Sequence, residues 1–346
     1  MVFDVNYTIP KMIKDSAEKW PELPAQYARV KGGDFQPIIY RDMFQYALDF
    51  GAGLLNLGIK RGELIGLISD NRPEWLYADV GLMSIGCTDV PRGCDATIND
   101  LEKIFSLTEI QTVITENSAQ VNKIISLKDK VPSIRQIIVF ENEIKPEVKE
   151  LAEKNQIKII FYSDLMKDGQ KWRIEHKGEV EAELEKGTQN DLATIIFTSG
   201  TTGTPKGVQL THGGFLAQLD EIPERIYLNP GDKALSVLPV WHVFEREVEY
   251  VILIQGASLC YSKPVGSILL ADFKAINPHL LPAVPRVFEA VYDGVTKKMR
   301  KAGGIVLAMF NFFVKVAKIQ KWMSRKMFKQ NACFTRYNAG LWWVIC

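Results

Sequence analysis

Apolar residues recur at intervals of three and four over residues 41–56, where Phe44, Ala47, Leu48, Gly51 and Leu55 fall on one side and Gly58 follows. That period predicts an amphipathic helix stopped by the glycine. The unbroken run at 64–69 reads as a buried strand. Asp70, Asn71, Arg72, Pro73 and Glu74 then supply cap-type residues and a proline suited to the first turn of a second helix, running to about Gly86. Short β-branched runs return at 112–115, 134–140, 157–162, 193–197, 234–238 and 258–261, separated by helical or loop stretches. Alternation of this kind predicts an α/β fold with mostly parallel sheets and helices on their faces. The polar stretch 167–191, rich in Glu and Lys, is expected to be a surface excursion between two sheet regions and the place of an internal boundary. No repeat or low-complexity segment interrupts the pattern.

Composition narrows the class without naming a chemistry. With 346 residues, 47% of them apolar and 24% charged, the chain can bury a substantial core and is neither disordered nor fibrous. The five cysteines, Cys87, Cys94, Cys260, Cys333 and Cys346, are odd in number and lack Cys-x-x-Cys spacing, which argues against a disulfide framework or a zinc site. A cytoplasmic setting is expected. The first residues place acid and proline where an export signal needs a basic start and an apolar run.

Net charge is only +1, but eleven basic and no acidic residues follow Asp293, leaving 31 basic against 41 acidic ahead of them. Such asymmetry points to an anionic partner. Within 305–329, helical spacing puts Ile305, Met309, Phe312, Phe313, Val316, Ile319, Met323 and Met327 on one face and Lys315, Lys318, Lys321, Arg325 and Lys329 on the other. Two readings stand: a helix docked on the protein's own core, or one lying on an anionic membrane surface, peripheral to its inner face. Its apolar runs are too short to span a bilayer. No nucleic-acid partner is expected.

The most specific chemistry lies at 194–208. An apolar strand runs into Thr198, Ser199, Gly200, Thr201, Thr202, Gly203, Thr204, Pro205, Lys206 and Gly207, with three glycines, five hydroxyls and one lysine. Glycines let backbone amides approach an anion, hydroxyls add donors, and lysine adds a mobile counter-charge. A plain surface turn is the competing reading of any Gly/Ser/Thr run. A Walker A loop is excluded, because Lys206 stands between Pro205 and Gly207. Further on, Leu238 to Arg246 combines a strand end, Trp241, His242, Phe244 and the ion-pair-capable Glu245 and Arg246. A histidine after a strand suits a ligand site in an open α/β sheet, although a structural role fits it too.

The loop resembles, nearly residue for residue, the AMP-binding signature of the acyl-adenylate-forming superfamily, and the His-x-Phe-Glu-Arg segment is similar to its long-chain fatty acid–CoA ligase branch. Thr211-His212-Gly213-Gly214 resembles the family's helix start, with Gly214 in place of asparagine. The segment Leu280 to Glu289 resembles the next block, and Leu54 to Gly62 and Asn71 to Trp75 also look like this branch. Pro91-Arg92-Gly93-Cys94-Asp95 departs from the commoner Pro-Leu-Tyr-Pro-Thr, with no function attached to the change.

The resemblance implies that residues 1–346 are the N-terminal portion of an adenylation domain. It implies activation of a long-chain fatty acid by ATP with Mg2+, then transfer to CoA. Thr198, Ser199, Gly200, Thr201, Thr202, Gly203, Thr204 and Lys206 would hold the ATP phosphates. His242 would lie near the reacting carboxylate, and Trp241, Phe244, Glu245 and Arg246 would lie on the acyl side. Glu245 and Arg246 could equally form a structural pair. Lys206 and His242 are the catalytic candidates, and no metal-ligand set is expected within the chain beyond hydroxyl contacts. The family's magnesium-binding Glu motif, ribose-binding Asp motif and C-terminal lid domain are missing from the sequence, so a truncated, frameshifted or excised piece is expected. The rival readings are a non-catalytic membrane-associated or nucleotide-binding remnant, and an adenylating enzyme for another carboxylic acid.

Overall fold

A computed structural model of the chain describes residues 3–29, 33–198, 205–328 and 343–344. The chain divides into two compact units, Met1–Asp232 with Pro239–Tyr261, and Lys233–Leu238 with Ser262–Cys346. In chain order the strands are β1 (Pro24–Arg29), β2 (Phe35–Ile39), β3 (Leu64–Ile68), β4 (Thr88–Arg92), β5 (Thr112–Thr115), β6 (Gln136–Val139) and β7 (Lys158–Phe161). They continue with β8 (Leu192–Thr198), β9 (Lys206–Thr211), β10 (Lys233–Ser236), β11 (Ser258–Tyr261), β12 (Leu280–Leu281) and β13 (Trp343–Val344).

The larger unit is built on a seven-stranded sheet in the order β7-β6-β5-β3-β4-β8-β9. All its pairs are parallel except β8–β9, which is antiparallel. β5 is buried at every position and β3 at all but its first, as expected of parallel strands covered on both faces. The strand order runs outward from β3 on both sides, an arrangement that leaves a ligand crevice beyond the strands' carboxyl ends. In the same unit β1 pairs with β2 in antiparallel and with β11 in parallel fashion. In the smaller unit β12 pairs in parallel with both β10 and β13.

The helices follow the predicted amphipathic pattern. Helix Tyr40–Asn56 buries Phe44, Ala47, Leu48 and Leu54. Helix Pro73–Ser84 starts on its proline, where the missing amide would have lacked a partner in any case. The polar stretch at 167–191 departs from expectation: it lies within the larger unit, and most of it is helical, in Tyr162–Glu175 and Glu179–Glu185. The reason is a close helix crossing. A Cβ on Gly169 would stand 1.9 Å from the Asp49 carbonyl oxygen, and one on Gly53 would stand 2.6 Å from that of Leu165. Arg173 seals the crossing by donating to Asp49 at 2.6 Å. The charged composition of this segment belongs to its outer face.

In the smaller unit, helices Pro285–Ala302 and Gly304–Phe328 follow β12 and meet at Gly303 and Gly304, both at positive φ. The second helix matches the predicted amphipathic segment, with Ile305, Met309, Phe312, Phe313, Val316 and Ile319 exposed. Among the described residues no helix is long and apolar enough to cross a membrane.

Candidate functional site

The phosphate-loop segment is flanked by the paired strands β8 and β9. β8 and β9 pair with Phe197 opposite Gly207 and Thr198 opposite Lys206, so the two ends of the loop are held side by side at the carboxyl end of β8. Thr198 and Lys206 are both exposed there. Ser199, Gly200, Thr201, Thr202, Gly203 and Thr204 lie outside the described residues. Ahead of Thr198 β8 is buried, and Gly207 passes so close to Ile195 and Phe197 that a Cβ would stand 3.0 Å from each.

Strand β4, next to β8, connects this hairpin to the histidine segment. Arg92, its last residue, donates from Nη1 to the Phe197 carbonyl oxygen at 3.3 Å, and its guanidinium lies 5.1 Å from the centre of the Trp241 ring. The indole rests on Gly93, where a Cβ would be 2.3 Å from Trp241 Nε1, so any other residue would displace the ring. After β3, Asn71 Oδ1 accepts the Val240 amide at 3.0 Å and fixes the turn that carries Trp241. Arg92, Gly93 and Asn71 thus bring the hairpin base and the Trp241–His242 turn together.

His242 is exposed and caps helix Val243–Ile254, its Nδ1 accepting the Phe244 amide at 3.3 Å. An Nδ1 that accepts carries no proton, so the neutral ring bears its N–H at Nε2 and presents a donor. Phe244 is also exposed, whereas Glu245 and Arg246 point into the protein. Arg246 is wholly buried. It ion-pairs with Asp79 and Asp89, the latter at 3.1 Å, and its Nε donates to the Tyr250 hydroxyl at 2.9 Å; that hydroxyl donates to Asp79 at 2.6 Å. The Trp75 ring flanks the guanidinium. Burial raises both aspartate carboxyls, Arg246 opposes it, and the same burial works against the guanidinium while the two carboxylates hold its charge. This geometry corrects the expected acyl-side position of Arg246. It is a structural cation that ties β4 and helix Pro73–Ser84 to the helix begun by His242, and Glu245 is buried beside it.

A further polar cluster sits at the same sheet edge. Ligand-type atoms of Asp70, Cys94 and Glu116 lie within 4.8 Å of one another. Hydrogen bonds account for the grouping: Glu116 Oε2 accepts from the Asp70 amide at 2.9 Å, Ser69 Oγ at 3.1 Å and Cys94 Sγ at 3.5 Å. Burial, then Glu116, pushes the Cys94 thiol up, in keeping with its donating to Glu116 Oε2.

Sequence reasoning left Arg92 and Gly93 without a role and did not find Asp79, Asp89 or Tyr250. A signal for the first two existed, since Arg92 and Gly93 stand where the family resemblance breaks. The buried aspartates give no such signal, because nothing local distinguishes them from surface acids.

A family model described as AMP-binding enzyme matches residues 13–328. A chloroplastic long-chain-fatty-acid–[acyl-carrier-protein] ligase of Arabidopsis thaliana is 31% identical over 95% of this chain and 44% of its own length. Long chain acyl-CoA synthetase 8 of the same plant is 28% identical over 84% of this chain and 41% of its own. This chain therefore spans less than half the length of these curated relatives. Among solved structures, the adenylation domain of a carboxylate reductase from Mycobacterium chelonae superposes with a TM-score of 0.71 at 18% identity, covering 87% of this chain and 49% of that one. The N-terminal domain of FACL13 from Mycobacterium tuberculosis gives 0.62 at 20% identity, covering 82% and 64%.

Proposed function

Because the chain belongs to the AMP-binding enzyme family, we propose that it is the phosphate- and acid-binding part of a cytoplasmic ligase that activates a long-chain fatty acid with ATP and passes it to CoA. In the first step a carboxylate oxygen attacks the α-phosphorus of ATP. The bond to the bridging oxygen breaks, and pyrophosphate leaves with that electron pair, giving acyl-AMP. In the second, the CoA sulfur loses its proton and attacks the acyl carbon, and AMP leaves. Magnesium, when bound, supplies neutralising charge on the phosphates.

The residues divide the work by chemistry. Charge develops on departing pyrophosphate, where a preorganised cation and donors contribute most, and the segment from Thr198 to Lys206 offers both. His242 offers its Nε2 proton to an oxygen of the reacting carboxylate or phosphate. Trp241 and Phe244 supply aromatic surface for the acid's chain. The observation that carries this reading is the Thr198–Lys206 register, tied through Arg92 to the Trp241–His242 turn. The long-chain specificity is supported by the named activities of the relatives. Free thiols at Cys87, Cys94 and Cys260 suit a reducing compartment.

ATP–pyrophosphate exchange with palmitate, benzoate and an amino acid, measured on a form of the protein that carries the family's magnesium, ribose and lid motifs, tests the proposal. Exchange that is strongest with palmitate is expected. Exchange driven by benzoate or the amino acid would replace the substrate class, and nucleotide binding with no exchange for any acid would favour a non-catalytic role.

A further inference from the structure

We propose that Arg92 binds the α-phosphate of the nucleotide while the acid is joined to it, a role that rests on the adenylation reading above and extends it by one residue. Two arginines of the larger unit differ in how their charge is met. Arg246 is wholly buried, and Asp79 and Asp89 pair with it. Arg92 is half-buried at the end of β4, and among the described residues no carboxylate pairs with it. Its Nη1 donates to the Phe197 carbonyl oxygen at 3.3 Å, while its Nε is buried without an acceptor. A buried donor left without an acceptor is unfavourable, and a cation compounds it. The Trp241 ring, 5.1 Å away, attracts the guanidinium through its π face but brings no negative charge.

Position identifies the anion. The Phe197 carbonyl precedes Thr198, where the segment assigned to the terminal phosphates begins, and Trp241 precedes His242, assigned to the reacting group. Arg92 touches both from the carboxyl end of a strand that lies between β3 and β8. The α-phosphorus is where the two reactants meet: a carboxylate oxygen bonds to it as the bond to the bridging oxygen breaks, and pyrophosphate takes that electron pair. Two anions must approach for this to happen, and the acyl phosphate they form keeps a negative charge. A fixed guanidinium offsets the repulsion and then holds the product, with no proton leaving it. Its planar fork also matches two oxygens of one phosphate, which an ammonium does not. Arg92 and Lys206 are thereby separable by ligand, since AMP carries the α-phosphate alone.

Calorimetric titration of AMP, ATP and adenosine into the full 346-residue chain and its Arg92→Gln variant tests the proposal. Glutamine keeps an amide donor and removes the charge. AMP and ATP should both bind about 10- to 100-fold more weakly, the range for one hydrogen bond to a charged group, with adenosine binding unchanged. Arg92→Lys keeps the charge without the fork, should lose less, and carries the comparison if the glutamine variant does not fold. AMP binding unmoved by both substitutions, while Lys206→Ala still weakens ATP, would overturn the role of Arg92 and leave the adenylation reading standing. Adenosine lost together with AMP would also overturn it, because Arg92 would then only hold the Trp241 turn in place. An unaltered chain that binds neither AMP nor ATP would overturn the adenylation reading and this proposal with it.

Discussion

Single residues show how the site is supported from beneath. Arg246 sits between two aspartates with no water-facing surface, and its removal leaves Asp79 and Asp89 buried without their cation. Arg246→Met should therefore cost about 3–5 kcal/mol in urea unfolding, the range for breaking a buried ion pair from one side. A loss within about 1 kcal/mol, as for an exposed pair, would contradict the buried network. His212 offers a pH signature. It is buried after β9, its Nδ1 accepts the Ile9 amide at 3.5 Å, and burial lowers its pKa to about 4. The folded state then binds fewer protons than the unfolded one between that value and the ordinary 6.5, so stability is present above the unfolded pKa and lost as pH falls through this window. The loss attributable to His212 should approach about 3 kcal/mol. His212→Asn should flatten the stability-against-pH slope between those values, and an unchanged slope would remove His212 as the cause.

At the scale of elements, the periodicity argument recovered the helices at Tyr40–Asn56, Pro73–Ser84 and Gly304–Phe328 and the parallel strands β3, β5, β6, β7 and β8 of the large sheet, because apolar residues repeat or run together along each of them. It did not find β1, β2, β4 or β9. Pro24 and Pro37 obscure the first two, and the exposed, glycine-containing β9 has only its hairpin partner to make it a strand. The segment at 167–191 was illegible for another reason: its charges are outside, and what folds it is a helix crossing allowed by Gly53 and Gly169. Gly169→Ala should destabilise the protein by about 1–3 kcal/mol or more through overpacking, measured by the shift in urea midpoint. Alanine is otherwise favoured in a helix, so a stabilised variant would show that the two helices do not approach as closely as described. Helix His212–Arg225 is capped from Thr211, whose Oγ1 accepts the Gly214 amide at 3.3 Å.

For the whole molecule, two compact units replace the division expected at 167–191, because the chain leaves the larger unit after Asp232 and returns to it at Pro239–Tyr261. That return is what brings His242 and Trp241 to the edge where β3, β4 and β8 end. Local sequence singled out the loop and the histidine as candidates. It could not reveal that Arg92, more than a hundred residues ahead of both, joins them, since that contact exists only once β4 lies beside β8. The central claim is that the segment between Thr198 and Lys206 serves the terminal phosphates of ATP. Calorimetric titration of ATP and of AMP into the chain and into its Lys206→Ala variant tests it without requiring turnover. Lys206 is exposed, so the fold should survive the substitution. The account predicts that the variant binds ATP about 10- to 100-fold more weakly, the range for one hydrogen bond to a charged group, while AMP binding stays as it was. Equal losses for ATP and AMP, or no loss for either, would contradict it.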